Sequence, residues 1–254
     1  MAKTPVSRLV PKVPRAPKVP PVVPAADAIT GGSRRAAYSA STKRALVDAA
    51  DDLFTALGYA ATSLDAVVAG ARVTKGALYH HFTGKQAIFE AVFERVEDEA
   101  AHRIQRALRG HRDPWDKARE GLRAFLAVVQ EPRYRRIVVQ DGPAVLGYER
   151  FREQEERSTF ATVVEIVRST LTAGGWELDE PMVQTYAQIF FGALSSAGAS
   201  VAAAADPEVA ARRVEAAIGF LLTGVQGLVE AGVELPDGFG RAAGGDPAEE
   251  TDGA

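Results

Sequence analysis

The sequence predicts an all-α fold, and three observations carry that expectation. Apolar residues recur at the spacing of amphipathic helices through nearly all of the chain after residue 41. Helix starts are marked by an acidic or hydroxyl residue ahead of proline or an apolar run, and helix stops by glycine. Period-2 alternation bounded by hairpin turns, the mark of strands, is missing. With 254 residues and 46% hydrophobic content, the chain is long enough to bury a core in one large or two modest domains. The 30 Lys and Arg against 33 Asp and Glu leave a net charge of -3, so the protein as a whole is no polycation and any nucleic-acid affinity must be local. The absence of cysteine excludes disulfide scaffolds, thiolate metal sites and thiol catalysis, and fits a reducing compartment such as the cytoplasm. The most apolar run, residues 189–205, is mostly Ala, Gly and Ser and does not read as a membrane span.

Residues 1–41 are proline-rich and carry Lys and Arg with Asp27 as the only acid. Lacking helical periodicity, they cannot offset their ordering entropy and read as a disordered basic arm. Without a continuous apolar stretch they are not a secretory signal. Helix 1 is expected over 42–57, with Leu46, Ala49, Ala50, Leu53, Phe54 and Leu57 as its stripe and Gly58 as a left-handed stop. Thr62 and Asp65 have the form of a capping box opening helix 2 near Ser63, which lasts to about Ala71. Thr74 caps helix 3 over 75–82, with Val73 and Leu78 as a hydrophobic staple, and Thr83 with Gln86 forms a second box opening helix 4. Helix 4 carries Ile88, Phe89, Val92, Phe93, Val96 and Ala100 on one face and runs to about Leu108. Asp113-Pro114, Glu180-Pro181 and Asp206-Pro207 open later helices. Asp141-Gly142-Pro143 marks a turn between helices, most simply a plain loop and alternatively a bend near a pocket mouth. The last two helices end near Ala204 and Ala231, and residues 236–254 read as a disordered acidic tail.

The stretch 62–89 departs from long amphipathic helices, because three helix starts crowd into it. Two short helices joined by about three residues, with a packing helix before them, match the helix-turn-helix unit, whose second helix enters the major groove. Lys75, Gly76 and Ala77 pair a cation with minimal bulk, which lets the backbone approach base edges closely. Tyr79, His80 and Lys85 supply donors to phosphate, and Thr62 and Thr74 stand at helix N-termini that favour anions.

At these residues the stretch resembles the DNA-binding domain of the TetR family of bacterial transcriptional regulators. The family pattern is present as Val73, Thr74, Gly76, Leu78, Tyr79, His81, Phe82 and Lys85, and upstream Leu53, Phe54, Gly58 and Tyr59 look like the family's helix 1 ending. The resemblance covers about 42–92. It implies that Thr62, Thr74, Lys75, Tyr79, His80 and Lys85 touch DNA while Leu46, Phe54, Val67, Val73, Leu78 and Phe82 hold a small core. Two residues depart from the pattern. Arg72 stands where the family usually has Gly, at a position expected to want left-handed geometry, and Val68 replaces a usual Ala. The resemblance further implies a DNA-binding domain 42–90 and a helical ligand-binding and dimerisation domain 91–235, which composition sets between the arm 1–41 and the tail 236–254.

In the larger part, Gly192, Ala193, Ser195, Ser196, Ala197, Gly198, Ala199 and Ser200 make the penultimate helix small-sided. The last helix supplies Ile218, Leu221, Leu222, Val225, Leu228 and Val229. Together they suit a four-helix homodimer interface. Candidate pocket residues for an apolar or aromatic effector are Trp115, Phe125, Tyr134, Tyr148, Phe151, Phe160, Met182, Tyr186 and Phe190, although aromatic residues at helical spacing are more often core than pocket. No nucleophile elbow, phosphate-binding glycine loop or zinc-protease motif is present. His80 and His81 point to different faces of a helix and are poor co-ligands, so neither a metal nor a cofactor is expected. The partners expected are double-stranded operator DNA, a second copy of the chain and a small effector, with no membrane. A helical enzyme, or a dimeric interaction protein without specific DNA binding, is the alternative.

Overall fold

The computed structural model describes residues 30–176 and 178–233, so the expectations for residues 1–29 and for the tail 236–254 fall outside the described residues. The described residues form α-helices and two π-helical stretches, with no strand among them. The chain divides into two units, 1–40 and Ser41–Ala254. In the first, residues 30–40 are helical. α1 (Thr30–Ala61) therefore begins upstream of Thr42, and the part of the expected disordered arm from residue 30 to 41 is a correction. The physical reason is that lengthening an existing helix needs no new nucleus, and no proline follows residue 24 to stop it.

In the second unit, α1 is interrupted at Gly58 (φ 81°, ψ 170°), the expected stop. α2 (Leu64–Ala71) and α3 (Lys75–His81) follow, then α4 (Lys85–Leu108). Leu46, Ala50, Phe54, Val67, Leu78, Phe82, Ile88 and Phe89 are buried in one core, with Val73 partly buried against it. Phe89 meets Phe54 and Tyr59 edge-on, at 5.3 and 5.2 Å between ring centres, the arrangement aromatic quadrupoles favour. Two expected caps shift by one residue. Ser63, not Thr62, caps α2, accepting from Ala66 N at 3.1 Å. Gly84, not Thr83, precedes α4 and makes no side-chain cap.

α5 (Pro114–Val129), α6 (Pro132–Tyr134), α7 (Gly142–Leu146), α8 (Tyr148–Glu155), α9 (Ala161–Ala173), α10 (Glu180–Ala203) and α11 (Pro207–Glu230) pack with α4 as a larger bundle. Asp113 and Asp206 cap α5 and α11 ahead of proline as expected, whereas Asp179 caps α10 in place of Glu180. The expected turn at Asp141-Gly142-Pro143 is instead helical, because a π-helical stretch, Arg135–Asp141, runs straight into α7. Pro143 sits in the first turn, where its missing N–H is no loss. Gly142 is needed for proximity: a Cβ there would lie 2.8 Å from the Phe93 ring. No described helix is long and apolar enough to cross a membrane.

Candidate nucleic-acid interface

Between α2 and α3 the chain turns through Arg72, which adopts the left-handed conformation (φ 57°, ψ 39°). It is the one non-glycine residue with positive φ among those described. The departure from glycine keeps the turn geometry at a cost of about 1–2 kcal/mol. The Arg72 and Val73 N–H groups donate to Ala69 O and Val68 O, each at 3.2 Å, which closes the end of α2. Thr74 then caps α3, its hydroxyl accepting from Ala77 N at 3.2 Å.

α3 is divided by its own periodicity. Leu78, and Phe82 just beyond the helix, are buried, while Lys75, Gly76, Tyr79 and His80 are exposed and Ala77 is half-buried. More than half of the Tyr79 surface, 55%, meets solvent. A Cβ on Gly76 would find nothing nearer than Thr74 Oγ1 at 3.9 Å, so nothing inside the protein requires glycine there. Lys75 pairs with Asp65 at 2.6 Å, and that hydrogen bond and charge raise its pKa from the ordinary lysine value. The lysine is thus cationic at neutral pH and held at the start of α3. Lys43 of α1 stands 5.7 Å over the Phe82 ring and adds a second cation beside α3. The His80 and His81 rings lie edge-to-face, 5.1 Å apart. Burial, then the charges of His80 and Lys43, lower the His81 pKa below 6.5.

Two of the eight expected DNA contacts have internal duties. Thr62 is buried, and its hydroxyl donates to Gly58 O at 2.8 Å and Leu53 O at 3.3 Å, so its side chain is a structural clamp rather than a surface donor. Lys85 is half-buried, with Nζ donating to Ala60 O at 3.3 Å and lying 4.3 Å over the Tyr59 ring. Both converge on the Gly58 interruption, and the larger bundle reaches the same place. Asp141 accepts from Tyr59 N at 2.8 Å, and Arg136 donates to Leu57 O at 3.2 Å while pairing with Asp141 at 3.3 Å. Nearby, Asp51 accepts from Arg133 at 2.6 Å and from Arg95 at 2.5 Å. Arg95 also holds Asp48, Arg133 also holds Glu99, and Gln86 donates to Val145 O at 3.0 Å. These links, which no local motif announces, tie α1 and α4 to the stretch 133–145.

The nine aromatic and sulfur candidates for an effector site scatter. Trp115 and Tyr134 are buried, Phe125 packs where Gly198 lacks a Cβ, and Phe151 meets Phe93 edge-on at 5.8 Å. Phe160 meets Phe191 at 5.5 Å. Met182, Tyr186 and Phe190 are half-buried on α10, and Tyr148 is exposed beneath Arg152. Neither of two surface concavities has any of the nine in its wall. One is lined by residues of α5, α11 and Gln130, the other by Glu99, His102, Arg103, Arg106 and Arg109. Among the described residues there is no group of three acidic or histidine side chains placed to hold a metal.

Two family models match the chain: bacterial regulatory proteins of the tetR family over residues 46–92, and the tetracyclin repressor-like C-terminal domain over residues 115–225. A solved TetR-family transcriptional regulator from Pectobacterium atrosepticum is 31% identical, with the match covering 74% of this chain and 95% of that one at a TM-score of 0.65. The A-factor receptor protein of Streptomyces griseus is 41% identical over 58 residues, 23% of this chain and 21% of that protein. The HTH-type transcriptional activator FasR of Mycolicibacterium smegmatis is 31% identical over 102 residues, 39% of this chain and 47% of its own length. The match thus spans less than half the length of either curated relative.

Proposed function

The chain belongs to the TetR family of bacterial regulatory proteins, and on that premise we propose that it is a ligand-responsive repressor that binds a pseudo-palindromic operator as a homodimer. The observation that carries this reading is the outward face of α3. Lys75, Gly76, Tyr79 and His80 are exposed, while Leu78 of the same helix is buried. Thr74 and Ala77 complete that surface, with the Thr74 cap presenting the free N–H groups of the first turn to phosphate. A face that is polar, narrow at Gly76 and bordered by Lys43 suits close approach to base edges flanked by phosphate contacts.

Dimerisation is assigned to α10 and α11, where Ile189 (62%), Phe220 (78%), Leu221 (60%) and Leu228 (49%) present apolar surface to solvent. Large apolar side chains gathered on two neighbouring helices favour a partner, and an identical copy makes the contact symmetric. A two-fold dimer then reads half-sites about 34–36 Å apart, or a multiple of that. Residues 42–90 act as the DNA-binding part and 91–235 as the effector-binding and dimerising part. Neither described concavity is lined by any of the nine aromatic and sulfur candidates, so the apolar or aromatic effector is assigned to residues 91–235 as a whole. Motion of α5 to α7 then reaches DNA through Arg133 on Asp51, Arg136 on Leu57 and Asp141 on Tyr59. A full switch requires differential effector binding of about 5.5 kcal/mol.

Selection of random DNA duplexes by the purified protein at a stated salt concentration tests the reading. The expected product is a pseudo-palindrome that Tyr79→Ala fails to enrich, and a reporter driven through that site gives the sign of regulation. Salt-sensitive binding without sequence preference, equal in the variant, overturns it.

A further inference from the structure

Residues 100–112, AAHRIQRALRGHR, hold four arginines and no acid in a chain of net charge -3. In the structure His102, Arg103, Arg106 and Arg109 are exposed and line one concavity with Glu99, along the last turns of α4. Arg103 is paired with Glu131, but Arg106 and Arg109 have no ion pair among the described residues. Cations near a helix C-terminus interact favourably with its dipole, yet that effect is confined to the last turn. It does not account for a stripe that begins at His102. The stripe is also remote from α3: the 24 residues of α4 separate its two ends by about 36 Å. It is therefore not part of the DNA-reading face.

We propose that this arginine face is the docking surface for the acidic C-terminal segment of the same chain. Three observations select that occupant. Residues 234–254 contain Glu234, Asp237, Asp246, Glu249, Glu250 and Asp252 against the single cation Arg241, so the charges are complementary. The chain also leaves the described structure from α11, which packs on α5, as the end of α4 does. Leu108 at the end of α4 packs on Gly121 of α5, and Arg119 of α5 donates to Gln226 of α11 at 2.5 Å. Val233, held through its carbonyl by Trp176 Nε1 at 3.1 Å, follows α11 directly. Reach is the third: from Val233 to Asp246 an extended chain covers up to about 45 Å, whereas the rise from Arg103 to Arg109 is only about 9 Å. Docking neutralises a surface that would otherwise hold DNA away from α3, and so keeps polyanion binding confined to the operator face.

The full-length chain tests this with two charge-neutralising sets, D246N/E249Q/E250Q/D252N in the tail and R106Q/R109Q on α4, alone and combined, each run on immobilised heparin in a salt gradient. The expected result is that neutralising the tail raises the eluting salt in the natural background and does so much less when Arg106 and Arg109 are already neutral. A nitroxide on Gly253→Cys, specific because the chain has no other cysteine, should be immobilised at low salt and released by R106Q/R109Q or by 1 M salt, where the screening length is about 3 Å. An equal elution shift in both backgrounds, which is the effect of net charge alone, overturns the proposal. So does a nitroxide spectrum that R106Q/R109Q leaves unchanged. Retention that depends on the arginines but not on the tail would assign the stripe to an external polyanion and overturn it as well.

Discussion

Thr62 and Lys85 at the Gly58 junction, and Thr74 and Lys75 at the start of α3, are the same two residue types placed about ten residues apart in the chain, and they do opposite things. At the junction the hydroxyl and ammonium are spent on backbone carbonyls, Gly58 O and Ala60 O, that an interrupted helix leaves open. At α3 the Thr74 hydroxyl serves one cap bond and Lys75 one exposed carboxylate, and both remain at the surface. The difference teaches that a polar residue near a helix start is a ligand-facing residue only where the local backbone has already been satisfied. Junction substitutions should therefore move stability, and α3 substitutions should move DNA affinity.

The largest separation is expected from Asp51→Ala. Asp51 is buried and accepts from both Arg95 and Arg133, so its removal leaves two guanidiniums facing each other. Loss of one partner from a fully buried pair costs about 3–5 kcal/mol. Because Arg95 and Arg133 are about a third exposed, a loss of about 2–3 kcal/mol is expected here, read as a lower urea midpoint. If stability holds and only operator affinity falls, the junction is not the structural half of the comparison. Thr62→Val comes next. The buried Gly58 carbonyl loses its donor, for about 1–2 kcal/mol of stability, while operator affinity measured well below the melting temperature should stay within twofold. A tenfold fall in affinity without a change in melting would return Thr62 to the DNA surface.

Gly76→Ala is smaller and splits the two quantities by sign. Helical alanine is more favourable than glycine by about 0.5–1 kcal/mol, and the space around Gly76 is open within the protein, so melting should rise slightly. On the proposed reading operator affinity should fall, because the added methyl would come between the backbone and the groove edge. A rise in both would remove the argument that Gly76 is there for close approach.

Much of this division was legible in the sequence, and the parts that were not share a cause. The stripes of α1 and α4, apart from Leu57, which is exposed, the Gly58 stop, the Thr74 cap and the outward Lys75, Gly76, Tyr79 and His80 follow from periodicity within a few residues. Caps shifted by one residue at Ser63 and Asp179, because adjacent residues with similar side chains compete for one N–H and local pattern does not choose between them, whereas at Gly84 no side chain caps α4 at all. No local motif marks Asp51 or Arg133, since their meeting across 82 positions is a property of packing. The turn expected at Asp141-Gly142-Pro143 became helix for the same reason: Gly142 is small to admit Phe93 and Phe151, not to reverse the chain. The aromatic candidates failed to assemble because a helical stripe says which face is buried and not what it is buried against.

The smallest effect concerns pH at the edge of the two regions. His81 is half-buried behind the exposed His80, and burial with the neighbouring His80 and Lys43 charges lowers its pKa from 6.5. Protonation is then harder in the folded state than in the unfolded chain, which binds more protons as pH falls. The stabilising contribution is complete above pH 6.5 and is lost as pH drops through the lower folded value. His81→Gln should flatten the melting curve between pH 7 and 5 without altering operator affinity at pH 7.5. His80→Gln, on the exposed side, should leave most of the melting slope in place and change affinity instead. If the two variants exchange these effects, the boundary between buried support and DNA-facing surface runs on the other side of α3 from where Leu78 and Tyr79 put it.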